Sequence, residues 1–211
     1  MPISANAAAP SPFRTREERL KDREEKREAV LRGAVRMFNA RGFHATSLDD
    51  VAATLGISKP TIYHYLGNKE QVLIECIVRG LGMLASAAEL VMDEPGSGLS
   101  KLQRFLHLYA EITMDDFGRC VIRTGDEALS QEGTTLLRAR KREIDMAMRA
   151  LIEQGIADGS IAPLDVKLTA FTLAGALSWP ARWHDPAGPM PVHDVAASLV
   201  DILTAGLAPR T

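Results

Sequence analysis

The 211-residue chain is poor in cysteine. It has two, Cys76 and Cys120, too far apart for a metal-ligand pair and too few for a disulfide framework. Disulfide-stapled scaffolds and zinc modules are therefore excluded, and a reducing compartment is the simple setting. No run of 18 apolar residues occurs, so no membrane-spanning helix is expected. The opening MPISANAAAPSPF, residues 1–13, lacks the basic start and apolar run of a secretory signal and reads as a disordered arm. The expectation is a cytoplasmic protein without a membrane partner. No charge sign dominates: 25 Lys+Arg stand against 27 Asp+Glu, a net charge of −2. Taken whole, that balance argues mildly against a nucleic-acid binder.

The total hides an asymmetry. Residues 1–70 carry 12 Lys+Arg against 9 Asp+Glu, a net +3, whereas residues 71–211 carry 13 against 18, a net −5. A basic N-terminal part precedes an acidic remainder. At 46% apolar and 25% charged residues, the composition is that of an ordinary globular protein, with a length for one large domain or two small ones.

What is present is helical throughout. From Arg14 to Glu28 all residues but Thr15 and Leu20 are charged. Glu17–Lys21, Asp22–Lys26 and Glu28–Arg32 sit four apart with the acid first, which supports an exposed helix whose charges face solvent. Leu31, Ala34, Val35 and Phe38 then form one apolar stripe up to Gly42. Ser47 caps a short second helix with Leu48, Val51, Ala52 and Leu55 on its apolar face, and Gly56 ends it. Ser58 caps a third, with Pro60 in its first turn and Ile62, Tyr65 and Leu66 facing inward. Gly67 breaks the chain, and Asn68 caps a long fourth helix from Lys69.

Further helices are expected at about 102–112, 131–157, 163–183 and 192–207, with a short, less defined segment between Gly118 and Gly125. No period-2 alternation of β-branched residues persists, so no strand is expected. The fold class is all-α, with about nine helices. The domain reading is an arm at 1–13, a small helical unit at 14–70 and a larger helical unit at 71–211.

Two short helices joined at Gly56, the second opening Ser-Lys-Pro-Thr, make a helix-turn-helix. A recognition helix must be short and must show polar side chains to the major groove near its N-terminus. Lys59, Thr61, Tyr63 and His64 occupy the outward positions. Lysine donates to guanine acceptors, and the threonine methyl can touch that of thymine. Thr46 and Lys69, at the starts of the second and fourth helices, are placed for phosphates.

The stretch GFHATSLDDVAATLGISKPTIYHYLGNKEQVL resembles the DNA-binding signature of TetR-type transcriptional regulators. The matching features are Gly42-Phe43, Thr46-Ser47, Val51-Ala52, Leu55-Gly56-Ile57-Ser58, Thr61-Ile62-Tyr63 and Asn68-Lys69-Glu70. Leu66 stands where the family usually has phenylalanine. The resemblance implies that Lys59, Pro60, Thr61 and Tyr63 enter the groove. It implies that Thr46, Ser47, His64, Tyr65 and Lys69 serve the backbone, which for Tyr65 conflicts with the inward spacing.

It also implies a homodimer on a double-stranded operator, with the last two long helices paired in a four-helix bundle. The apolar density of Leu168, Phe171, Leu173, Leu177, Trp179 and Trp183 supports that seam, as does that of Leu199, Val200, Ile202 and Leu203. Helices four to eight would enclose a small-molecule effector. Met83, Leu84, Ala87, Leu106, Tyr109, Thr113, Met146 and Phe171 are the expected lining, with Arg119 and Arg123 for an anionic head group. Arg138, Arg140, Lys141 and Arg142 read as a solvated face.

The run GALSWPARWHDPAGPMP resembles the members that sense acyl-CoA or related acids in lipid and aromatic-acid breakdown; small aromatic or xenobiotic inducers are the alternative effectors. No metal or cofactor is expected: His184, Asp185 and His193 near one loop are too few, and no HExxH, GxSxG or phosphate-loop motif occurs. The alternative is a helical small-molecule-binding protein or an enzyme without sequence-specific DNA binding.

Overall fold

The computed structural model describes residues 15–207; the expected arm at 1–13 lies outside them. Among the described residues there is no strand, and nine helices have eight residues or more. The first is α1 (Arg16–Arg41), opened by a capping box in which Thr15 and Glu18 satisfy each other's backbone N–H groups. Then come α2 (Leu48–Leu55) and α3 (Lys59–Leu66), capped by Ser47 and Ser58. Gly56 joins them in the left-handed region (φ 65°), which only glycine enters without strain. Its N–H closes the end of α2 on the carbonyls of Ala52 and Ala53.

The remaining helices are α4 (Lys69–Asp93), α5 (Gly98–Met114), α6 (Asp116–Arg123), α7 (Gln131–Ala157), α8 (Val166–Ser178), α9 (Pro180–Trp183) and α10 (Val192–Thr204). The segment left undefined between Gly118 and Gly125 is α6, and it begins earlier, at Asp116. The expected single helix at 163–183 is two. Pro180 carries no N–H to continue the ladder, and Trp179 ends α8 before the short α9.

The α1, α2 and α3 helices close around Leu31, Ile62 and Val35, all fully buried. The α4 helix runs from this head into the body, where it packs on α5, α6 and α7. By length and hydropathy α4 would pass for a membrane span; its apolar residues are instead spent on the core, from Val72 through Leu84 to Val91. At one crossing α4 and α6 come into backbone contact: a Cβ on Gly80 would meet the carbonyl oxygen of Phe117 at 2.8 Å. In the body, α5 lies between α10 and α7.

Two local readings change. Leu55 is 38% exposed, lying over α1 where a Cβ on Gly33 would touch its Cδ1 at 2.8 Å, so it covers the head rather than filling it. The charged run of α1 is only partly a solvated face. Asp22–Lys26 and Glu28–Arg32 pair as spaced, but Lys21 lies 4.0 Å from Glu25. Arg27 holds Glu75 of α4 in a two-pronged pair, and Arg79 bridges Glu75 (3.0 Å) and Glu28. The hydrogen bond to Glu75 is the main reason the Arg27 guanidinium is held even more firmly protonated than usual. Arg32 and Arg79 also sit over the Phe117 ring of α6, at 5.3 and 5.7 Å.

Candidate DNA-reading face and effector cavity

The head presents α3 outward by its N-terminal half. Ser58 accepts from the Thr61 N–H and shares a 2.7 Å hydrogen bond between their hydroxyls, which fixes the first turn. Lys59, Pro60, Tyr63 and His64 are exposed, while Ile62 and Leu66 anchor the opposite side. Lys59 is parked on Asp49 at 2.6 Å, and that bond raises its pKa. So exposed a pair is weak, and a guanine or phosphate acceptor can take the lysine over. Tyr63 and Lys69 border one shallow cleft together with His44 and Ser47. Lys69 is held there over the Phe43 ring at 4.2 Å and donates to the His44 carbonyl at 3.4 Å. Burial lowers its pKa.

In the body, a cavity of about 320 Å³ opens among α4 to α8. Leu81, Leu84, Ile144 and Met148 form much of its apolar wall, with Val121 and Ile122 from α6. Phe171, Ala174, Gly175 and Ser178 bring α8 to its rim. Tyr109 and Ser178 are its hydroxyl-bearing residues, and Lys141 and Asp145 its charged ones. Two other hollows, of about 370 and 440 Å³, are present. One is a polar gap between residues 38–45 and 123–128; the other lies between α4 and α7 alone. Of these three, the first alone is walled by five helices, the geometry expected of a small-molecule site.

The α6 helix joins the two regions. Arg36 of α1 pairs with Asp116 at 2.8 Å, and the Asn39 amide donates to the Asp116 carbonyl at 2.8 Å. Farther along α6, Arg119 is 8% exposed, and its hydrogen bonds go to a carbonyl and an imidazole rather than to a carboxylate. It donates to the Met114 carbonyl (2.7 Å) and reaches His184 Nδ1 at 3.0 Å. Because a guanidinium only donates, Nδ1 must accept, and Nε2–H donates to the Met190 carbonyl at 2.9 Å. A neutral His184 thus pins the loop after α9 to α6. Burial lowers the Arg119 pKa. Cys76 and Cys120 are both free and buried where α4 meets α6. Hydrogen bonding between the two thiols raises the pKa of Cys76 and lowers that of Cys120.

A further surface stands out by its exposure. Leu168 (64%), Trp179 (62%) and Ile202 (73%) leave α8 to α10 open to solvent, with Phe171 and Trp183 about half exposed. Large apolar side chains exposed together on neighbouring helices are the kind of surface that partners cover.

Comparison with known proteins gives two matches along the chain. Residues 30–76 fit the family model described as "Bacterial regulatory proteins, tetR family", and residues 95–207 fit "Tetracyclin repressor-like, C-terminal domain". The chain belongs to the TetR family. It is 28% identical over 186 residues to the HTH-type transcriptional repressor KstR2 of Mycolicibacterium smegmatis, spanning 86% of this chain and 90% of the relative. The TetR family regulator PfmR of Thermus thermophilus superposes with a TM-score of 0.76 at 29% identity, over 85% of this chain and 99% of PfmR. AibR, solved with isovaleryl coenzyme A and operator DNA, shares the fold (TM-score 0.72, 23% identity, 84% and 97% coverage).

Within this TetR-family chain, several expected site residues lie elsewhere. Thr46 is buried, and its hydroxyl donates to the Gly42 carbonyl at 2.9 Å, closing the end of α1 rather than facing a phosphate. Both donors of Ser47 go to Asp50, whose carboxyl they hold below its ordinary pKa. Tyr65 is half-buried against the core, as its spacing indicates, with its ring edge on His64. Of the expected lining, Leu84, Tyr109 and Phe171 border the cavity. Met83 and Met146 point to solvent, and Ala87, Leu106 and Thr113 are packed in the core.

Thr113 donates to the Leu177 carbonyl at 2.9 Å. Arg119 faces inward to His184, and Arg123 lines the polar gap beside the head. Lys141, read as part of a solvated face, is the cation on the cavity. His184 and His193 go to separate partners, and no group of three potential metal ligands occurs among the described residues.

Proposed function

We propose that this regulator is a homodimeric repressor that holds a palindromic operator and leaves it when a small molecule fills the body cavity. The observation that carries the reading is the capped, outward α3 in a TetR-family head, set beside a five-helix cavity that shares α6 with it. Lys59, Pro60, Thr61 and Tyr63 meet base edges, while His64 and Lys69 meet phosphates. Two copies joined along the apolar face of α8 and α10 present two recognition helices about 34–36 Å apart, one helical turn of DNA. A net +3 on each head is modest, so doubling by the dimer supplies much of the affinity.

The effector is an organic acid or its coenzyme A thioester. The AibR fold accommodates isovaleryl coenzyme A and operator DNA. Binding pushes on Val121 and Ile122, α6 carries the shift to Arg36 and Asn39 of α1, and the head spacing leaves register. The effector acts only through unequal affinity for the two spacings. The setting is the bacterial cytoplasm.

Selection of bound sequences from random DNA should return an inverted repeat. No enrichment would sink the repressor reading. Lys69→Ala should flatten the salt dependence of operator binding by about one unit of slope without changing the selected sequence. Sedimentation at micromolar concentration should give a dimer; a monomer would remove the α8–α10 seam.

A further inference from the structure

The polar groups on the cavity are few and unevenly placed. On its wall, where α5 meets α8, Tyr109 Oη and Ser178 Oγ stand 3.3 Å apart, a long hydrogen bond in which either hydroxyl can donate. Burial raises the Tyr109 pKa and keeps the phenol protonated. One shared bond leaves a donor and several lone pairs of the two hydroxyls to spare. A polar group in an apolar wall costs free energy unless a partner reaches it. This wall is otherwise Leu81, Leu84, Ile144 and Met148.

The mouth has the opposite character. Lys141 is exposed and makes no hydrogen bond or ion pair among the described residues. Asp145, one turn along α7, is committed to Arg149 by contacts of 3.1 and 2.6 Å. The Arg149 guanidinium in turn lies 5.3 Å over the Phe171 ring at the rim. One carboxylate therefore faces two cations, and Lys141 is the one left with an open charge.

Building on the reading of this cavity as the effector site, we propose that it takes an apolar organic anion bearing a carbonyl or hydroxyl oxygen on its hydrophobic body. The body fills the aliphatic wall. Its oxygen joins the Tyr109–Ser178 pair, and the anionic end leaves past Lys141. A hollow of about 320 Å³, open on one side, has room for the body, and the charged end would lie outside. A free carboxylate and a phosphorylated carrier on a thioester present the same sign of charge there. Tyr109 and Ser178 choose among bodies, and Lys141 rewards the charge.

Titration calorimetry on the full-length protein tests this with four probes: decanoate, 10-hydroxydecanoate, neutral 1,10-decanediol and the coenzyme A thioester of 10-hydroxydecanoate. The wild type should prefer 10-hydroxydecanoate to decanoate, and to the diol, by about tenfold each. Tyr109→Phe and Ser178→Ala should each bring the first ratio close to one without weakening decanoate. Both changes keep the core volume nearly unchanged, and circular dichroism checks the fold. Lys141→Gln, at an exposed position, should erase the preference for acid over diol.

Tighter binding of the thioester identifies a carrier-bound ligand, and tighter binding of the free acid identifies a free one; both support the class. Equal affinity for decanoate and 10-hydroxydecanoate in the wild type, or ratios unmoved by the variants, overturns it. So does heat from none of the probes. A gel shift with selected operator DNA separates this from the functional reading. A probe that binds but leaves the operator complex intact overturns effector control while the ligand class stands.

Discussion

The recognition helix and the body are fixed over different sequence distances. Around α2 and α3 the fastening groups are near neighbours: Ser47 with Asp50, Ser58 with Thr61, Asn68 with Gln71, and Lys59 with Asp49 ten residues away. In the body the partners are far apart in the chain. The Gly98 N–H meets Asp158 at 2.6 Å, the Gln103 amide meets Thr204 at 3.0 Å, and Thr113 reaches the Leu177 carbonyl. A surface set by local caps can change its exposed residues without refolding, which suits a DNA reader. A cavity set by distant contacts responds as a whole when one wall moves, which suits a sensor.

That contrast can be broken by mutation. Phe105→Ala, in the fully buried body core, should cost about 3–5 kcal/mol in urea unfolding. Ile62→Ala in the head should cost about 2–5 kcal/mol. Both should give one transition, because α4 carries a single core cluster through both regions. Separate transitions by tryptophan fluorescence, which reports Trp179 and Trp183 in the body, and by far-ultraviolet dichroism would make the head an independent unit.

Glu75→Gln leaves Arg27 and Arg79 of the α1–α4 network without their shared carboxylate and should cost about 1–3 kcal/mol. No loss would reduce that network to surface pairing. Ser58→Ala, a purely local change, should cost about 1 kcal/mol. The smallest effect should come from Asp49→Ala. It frees Lys59 and removes a charge beside the DNA face, so operator affinity in a gel shift should rise a few fold with little change in stability.

The same distances explain what could be read in advance. Helix ends in the head follow from caps three residues apart, so the positions of α2, α3 and the start of α4 were legible. The buried phase of α7, through Ile144, Met148, Leu151 and Gly155, already places Met146 on the far side, so the signal for its exposure was present. Met83 likewise falls out of step with Ile77, Leu81 and Leu84. Pro180 was an equally visible break inside an apolar run.

Other features had no local signal. Nothing near Arg119 in sequence announces His184, and nothing in the α1 charge run announces Glu75 and Arg79 about 50 residues later. In sequence Lys141 is one of four clustered cations; only the packing of α7 beside α8 sets it apart.

The backbone contact at Gly80 has a mechanical consequence. Where two helices meet through long side chains, rotamer changes absorb a shift of one before the other feels it. At Gly80 the Phe117 carbonyl lies directly against the α4 backbone, with only the short, branched Val121 side chain beside it. The crossing therefore works as a meshed gear with little backlash. A small displacement of α6 has to roll or slide α4 rather than be lost in soft contacts, and α4 begins at Lys69, in the cleft it shares with Tyr63 of α3.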